Sequence, residues 1–334
     1  MWSRYVIYDR TRVPSAPPHT GVRRSIGRCE TDDFAHWQKE VSGGGPCPTV
    51  LAPDGDPSDI DIYTNSWTPY PSIEAPAVHL FFPSMYHHFG PSAPFGFGND
   101  GILDIRLVVS TDGRNLSYVA ARNGRSPFIP LGINDCGHTT PTVVGGWCNP
   151  FHSGPGSVLQ TSVDTSAEYM ASGYVPSADG HELFFFSSVQ PATHGGDATN
   201  LSWTNSSGIR ISRLRTDGFV SVEAPYEFGP LEGLPSLTTA ALAVPSCAGA
   251  IQLRLNVETS VAGFVAVEVQ QDGAAVHGME LAHSDPTKGS AVAAVATWGG
   301  GRLASLASLA GKRVQLRVAM ADAKLFALRL ACAA

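Results

Sequence analysis

The run Asp59-Ile60-Asp61-Ile62-Tyr63 sets two carboxylates two residues apart in an apolar stretch. On a strand that spacing puts both on one face, where they are available for acid, base or binding work. A third acid, Glu168, opens the later strand-like stretch Ala167–Val175. Two histidines close Met85-Tyr86-His87-His88 at the end of the apolar run Ala77–Pro83, and His194 follows Glu182–Ser188 in the same way. Imidazoles and aromatic rings at strand ends suit sugar binding through hydrogen bonds and ring stacking. Adjacent His87 and His88 point to opposite faces, so at most one of them serves a common site, and as metal ligands they need carboxylate company. Trp67, Tyr70, Tyr86 and Trp203 are candidates for a stacking platform. The plainer uses of these residues are turn aspartate, strand-capping glutamate, loop histidine and buried ring.

The elements that position them recur. Gly27–Trp37, Arg106–Tyr118 and Gly208–Val222 each run from a short apolar strand through a turn rich in Asp into another extended stretch. Asp and Gly tolerate the backbone of tight turns, so each reads as a hairpin, with Asp32, Asp33, Asp112 and Asp217 as turn-makers. Glu30 opens the first of these turns, with Arg28 as its expected partner. A recurring hairpin cannot bury its own apolar face, which predicts stacked antiparallel sheets. Residues 1–232 therefore read as a β-propeller, with the Asp59–Tyr63 and Ala167–Val175 strands lining its channel. Residues 133–165, rich in Gly, Pro, Ser and Thr, read as an inserted surface loop. From residue 233 the text changes to strand after strand: Gln252–Val257, Phe264–Gln270, Ala275–Met279, Ala291–Trp298, Val314–Ala319 and Leu325–Leu330. The clean alternation of Val265–Val269 marks a sheet with one wet face, and residues 233–334 read as a β-sandwich. The expected class is all-β.

The Thr-Asp-Asp-Phe-x-x-Trp and Ser-Thr-Asp-Gly-x-Asn turns, with Arg125-Ser126-Pro127-Phe128-Ile129 as an inter-blade linker, resemble the outer hairpins of five-bladed propeller glycoside hydrolases of the β-fructosidase and arabinanase clan. The chain is similar to proteins related to the N-terminal domain of family 32 hydrolases. Against that pattern it starts inside the propeller, about two blades late, which implies either a shortened sequence or an open arc of blades. The resemblance implies action on a carbohydrate with carboxyl groups from different channel strands, one as acid and one as nucleophile or base. Asp61 then activates water or stabilises the cationic transition state, Glu168 is the general acid, and Asp59, Tyr86, His87, His88 and His194 hold the sugar. The clan's first-blade acid has no counterpart here, which points to the alternative of a non-catalytic carbohydrate-binding or scaffold propeller.

Composition narrows the partners. Charged residues make up 15% of the 334, the formal net charge is -7, and no basic cluster stands out, which argues against nucleic acid. No apolar run approaches the ~20 residues that cross a bilayer, so no membrane partner is expected. The six cysteines show no Cys-x-x-Cys spacing, and neither metal nor cofactor is implied. Cys136 and Cys148 either close a loop or stay free, since spacing alone does not set pairing. The opening Trp2–Tyr8 reads as a strand rather than a signal peptide, and Asn115, Asn200 and Asn205 begin Asn-x-Ser triplets; neither settles localisation.

Overall fold

The computed structural model describes residues 5–15, 21–33, 35–36, 47–53, 56, 59–70, 78–88, 101–119, 127–129, 143–144, 147–148, 167–190, 194, 208–227, 229–301 and 306–333. They are all-β, and their only helical residues lie in short 3-10 turns such as Leu306–Leu309. Trp37, Trp203, Cys136 and nearly all of 133–165 fall outside the described residues. Two compact units emerge: Met1–Val175 with Phe184–Arg213, and Pro176–Leu183 with Leu214–Ala334.

In the first unit β1 (Tyr5–Ser15), β2 (Gly21–Thr31) and β3 (Thr49–Leu51) form one antiparallel sheet. A meander follows: β4 (Ile60–Tyr70), β5 (Val78–His88), β6 (Gly101–Ile105), β7 (Val108–Ser110) and β8 (Ser117–Tyr118). The long β5 pairs β4 along its length and takes β6 and β7 in succession. β9 (Val143–Val144) and β10 (Trp147–Cys148) form a two-stranded sheet among the described residues. β11 (Ala167–Met170), β12 (Val175–Pro176), β13 (Glu182–Gln190) and β14 (Gly208–Arg215) extend the meander, β11 lying parallel to β6 at Ala167 and Leu103. No sheet closes on itself among the described residues.

Alternation sets the packing. Ile60, Ile62, Phe81, Met85 and Val108 turn to one side and bury against Ile26 and Leu51. On the other side Tyr86, Leu103 and Ala167 meet, with Tyr63 and Tyr169 against them. Polar side chains tie β11 to this side: Ser84 donates to the Glu168 carbonyl and Ser66 to the Ala171 carbonyl.

The turns follow the expected chemistry. Asp112 accepts the Arg114 and Asn115 amides, and β7 pairs β8 across it. Asp33 does the same for Ala35 and His36. Glu30 is held by Arg28 and by Arg114. A further turn of this kind, Ser177-Ala178-Asp179-Gly180, returns the His181 amide to Asp179 and was legible as the same Ser-x-Asp-Gly text. The third expected hairpin does not form. Asp217 takes a left-handed backbone (φ 57°) as a turn-maker should, but β15 (Val222–Ala224) pairs Ala323–Leu325 of the last strand instead of β14. The second compact unit accordingly takes in Leu214–Ala334 together with Pro176–Leu183.

That unit has one seven-stranded sheet of β15, β16 (Ser236–Thr238), β17 (Leu242–Ala243), β18 (Ile251–Gln271), β19 (Ala274–Ala275), β20 (Ser290–Val295) and β21 (Arg313–Cys332). Two strands expected on either side of Glu258–Gly263 are one bent strand, β18, and the last two expected strands are likewise one, β21. Bulges carry the bend: the β18–β21 register slips between Thr259 and Phe264. Gly263 is required there, because a Cβ would run into the Asp322 carbonyl oxygen. The inner face buries Leu253, Leu255, Val257, Val265, Val267, Leu316, Val318 and Trp298.

Candidate functional site

Asp61 and Tyr63 leave β4 on the side where Tyr86 and His88 leave β5, since Asp61 is registered directly opposite Tyr86. Tyr169 reaches the same place from β11, His194 from the segment after β13 and Arg24 from β2. The Arg24 guanidinium lies 4.8 Å from the Tyr63 ring and 4.9 Å from the Tyr86 ring. Its Nε donates to Asp61 Oδ2 at 2.8 Å. His88 Nε2 stands 3.4 Å from the same oxygen. His194 lies 4.4 Å from the Tyr63 ring and 5.1 Å from the Tyr86 ring, with its Nδ1 3.1 Å from the Tyr169 hydroxyl. The His194 amide donates to the Gly101 carbonyl, and a Cβ on Gly101 would strike the backbone of His87. Glycine at the start of β6 is thus what lets this corner close.

Tyr63, His88, Tyr169 and His194 are half-buried, whereas Tyr86 and Asp61 are buried. The second carboxylate oxygen of Asp61, Oδ1, is buried and has no hydrogen-bond donor among the described residues. Burial alone pushes the Asp61 carboxyl up. Hydrogen bonds and charge from His88 and Arg24 outweigh it and hold Asp61 below its ordinary value of 3.8. A carboxylate so lowered contributes stability above that value and loses it as pH falls. The native protein is therefore expected to lose thermal stability between about pH 5 and pH 3 more steeply than Asp61→Asn, a difference that melting curves at the two pH values measure directly. Equal slopes would mean that Asp61 is not held ionised by these partners. Burial also pushes the Tyr169 hydroxyl up, with Tyr63 adding to it, to about 12, so it stays protonated at neutral pH.

Glu168 does not join this cluster. It precedes Tyr169 on β11 and projects the other way, fully buried, where Ser187 Oγ donates at 2.5 Å and Arg210 Nη1 at 2.8 Å. Burial pushes its carboxyl up, offset in part by Ser187 and Arg210, while the Asp104 charge pushes it further. His87 likewise leaves β5 on the side opposite His88, with Nε2 2.8 Å from Asp104 Oδ2. Arg106 stands between two acids, 2.8 Å from Asp56 and 3.8 Å from Asp104. The expected Asp61 and Glu168 pair is thus divided between two polar clusters by strand alternation. Asp59 is exposed in the turn before β4, and its carbonyl accepts the His88 amide.

Of the residues expected to hold a sugar, Tyr86, His88 and His194 meet beside Asp61, whereas His87 and Asp59 do not. Tyr63 and Tyr169 complete the cluster and were legible by position, Tyr63 two residues after Asp61 and Tyr169 beside Glu168. Arg24 had no local signal, because stacking of β2 on β4 brings it in from 37 residues away. Trp67 is not part of it; its indole donates to His79 at 3.1 Å. Among the described residues no group of three or more His, Cys, Asp or Glu side chains is placed to hold a metal ion. Comparison with protein-family models, with curated proteins and with solved structures finds no match for the chain.

Proposed function

We propose that the first unit binds a carbohydrate at the corner formed by Arg24, Asp61, Tyr63, Tyr86, His88, Tyr169 and His194. The reading rests on the Asp61 carboxylate, which holds Arg24 and His88 among half-buried rings. Arg24 and His88, oriented by Asp61, meet sugar hydroxyls, and the carbon face of a sugar ring covers Tyr63 and Tyr169. The meander order of β4 to β8, followed through β11 by a second meander, is consistent with the propeller-type arc that places such a corner at a channel mouth. The C-terminal sheet is read in the same spirit as one layer of a sandwich.

Calorimetric titration with neutral arabinan, xylan and fructan fragments tests the proposal. The native protein is expected to bind one class, with Asp61→Asn and Tyr63→Ala each weakening it by about tenfold or more. Binding to none of the three, or binding that both variants retain, rejects it.

Hydrolysis is the second reading, favoured by one observation. Asp61 is held down and Glu168 is pushed up, the separation that acid and base pairs display. Their projection from opposite sides of the sheet and the full burial of Glu168 speak for binding without turnover. Aryl-arabinosides, aryl-xylosides and fructans are expected to stay intact. Turnover lost in both Asp61→Asn and Glu168→Gln would instead establish the hydrolytic reading.

A further inference from the structure

The outer face of the second unit's sheet is divided. At one end Leu231, Leu234 and Leu281 cover Phe264, Ala266, Ala319 and Ala321. At the other end the side chains are Gln252, Arg254 and Asn256 from β18, facing Ala331, Arg329 and Ala327 of β21. Arg254 and Arg329 are therefore directly opposite each other across the two central strands. Like charges in that relation repel, and strand pairs ordinarily avoid it. Arg254 donates to the Gln252 side-chain oxygen Oε1, and Arg329 is exposed; neither meets a carboxylate among the described residues. Two rungs along, Lys324 faces Glu258 on one side and Glu223 on the other, so the acids near this end gather around that lysine.

A third arginine is fixed beside them. Arg215 donates to Asn256 Oδ1 at 2.8 Å and to the Ser290 hydroxyl, and its guanidinium lies 5.1 Å from the Phe326 ring. Asn256 is anchored in turn by donating to the Thr216 carbonyl at 2.6 Å. The floor between the guanidinium groups is low: Ala327 lies opposite Asn256, and Val295 is registered beside Arg254. In a chain whose formal net charge is -7, two facing arginines with no carboxylate against either among the described residues run against the overall balance.

We propose that Arg215, Arg254 and Arg329 form a platform that binds the carboxylate groups of an acidic polysaccharide. The planar guanidinium fork matches a carboxylate with two parallel hydrogen bonds, and Arg keeps its charge at every working pH. An anion lying between Arg254 and Arg329 removes the repulsion that the empty face carries. A charged sugar chain presents its carboxylates one by one along a flexible line and lies flat on a floor of small residues. Duplex nucleic acid concentrates charge far more densely and needs a broader basic surface than three arginines on an acidic protein. The platform is a separate site from the ring cluster and stands whether or not that cluster binds a neutral sugar.

Oligogalacturonate and its methyl ester, identical but for the charge, are the probes, titrated at low and moderate salt. The acid form is expected to bind and the ester not, with affinity falling as salt rises. Arg254→Gln with Arg329→Gln is expected to weaken binding by tenfold or more. Arg329→Glu provides a variant whose fold is not at risk, because it places an acid opposite Arg254 and completes a cross-strand pair. It is expected to melt no lower than the native protein and yet to lose oligogalacturonate binding. Asp61→Asn is expected to bind oligogalacturonate normally, which separates this site from the one in the first unit. Equal binding of acid and ester, or full binding by Arg329→Glu, overturns the platform. Equally tight, Arg329-dependent binding of duplex DNA or of phosphatidylserine vesicles overturns the polysaccharide as its ligand.

Discussion

Replacing Arg106 by methionine is expected to destabilise the first unit by about 3–5 kcal/mol, the range for removing one partner of a buried ion pair. Arg106 is buried at 4% exposure between Asp56 and Asp104, which are themselves 9% and 0% exposed. Methionine fills much of the same volume, so the loss is one of charge rather than of packing. Both carboxylates remain buried, and among the described residues Asp104 keeps His87 Nε2, at 2.8 Å, as its hydrogen-bond donor. Glu168, whose carboxyl the Asp104 charge already pushes up, then faces that charge without the arginine beside it. Urea unfolding of the native protein and of Arg106→Met measures the difference. The companion variant, with Asp56→Asn and Asp104→Asn added, is expected to recover much of the loss, since no uncompensated charge is then buried. A loss below about 1 kcal/mol for Arg106→Met alone would place these groups in water and remove the polar cluster from the account of the fold.

That cluster also shows where reading the sequence stops. Alternation alone separated His87 from His88, and the same period of two, which local sequence displays openly, puts Tyr63 on the face of Asp61, whereas Asp59, expected on that face, lies in the turn before β4. The Ser/Thr-Asp-Gly turns were equally legible, because an Asp that accepts amides two and three residues on is a local matter. What local text does not contain is the partner across space. Asp104 stands in Gly-Ile-Leu-Asp-Ile-Arg as an acid in an apolar strand with Arg106 two residues on, but nothing nearby names His87 or brings Asp56 to the same arginine. Glu168 reads as a channel acid until β13 and β14 are placed, when Ser187 and Arg210 take up both its oxygens. The third hairpin failed for the same reason. Val222–Ala224 suits a strand wherever it pairs, and the edge offered by β21 lies about 100 residues away in sequence. The platform of Arg254 and Arg329 depends likewise on register between two long strands whose bends at Gly263 and Asp322 only the pairing reveals.

Removing the bond between Cys247 and Cys332 is expected to have an effect of similar or larger size, on the second unit. The two residues are 85 apart in sequence, and in the chain-entropy account a cross-link over a loop of that length destabilises the unfolded chain by about 4–5 kcal/mol. The bond joins the segment before β18 to the end of β21, beside the rung at which Ile251 faces Cys332. Both long strands of the unit are thus enclosed by it, so the unfolded chain with the bond intact keeps the two ends of the central ladder together. The bond between Cys29 and Cys47 closes only 18 residues and is expected to contribute about 3 kcal/mol on the same basis. Disulfides of this kind persist in oxidising compartments, and protein folded under reducing conditions is expected to lack both bonds. Calorimetry of the native protein, of Cys247→Ser with Cys332→Ser, and of Cys29→Ser with Cys47→Ser separates the contributions. The first double variant is expected to lower the melting temperature of the second unit by the greater amount, and reductant added to the native protein is expected to lower both transitions. If the Cys247→Ser and Cys332→Ser protein melts with the native one, the loop was already restrained in the unfolded state or the bond does not form, and mass spectrometry of the unreduced peptides decides between the two.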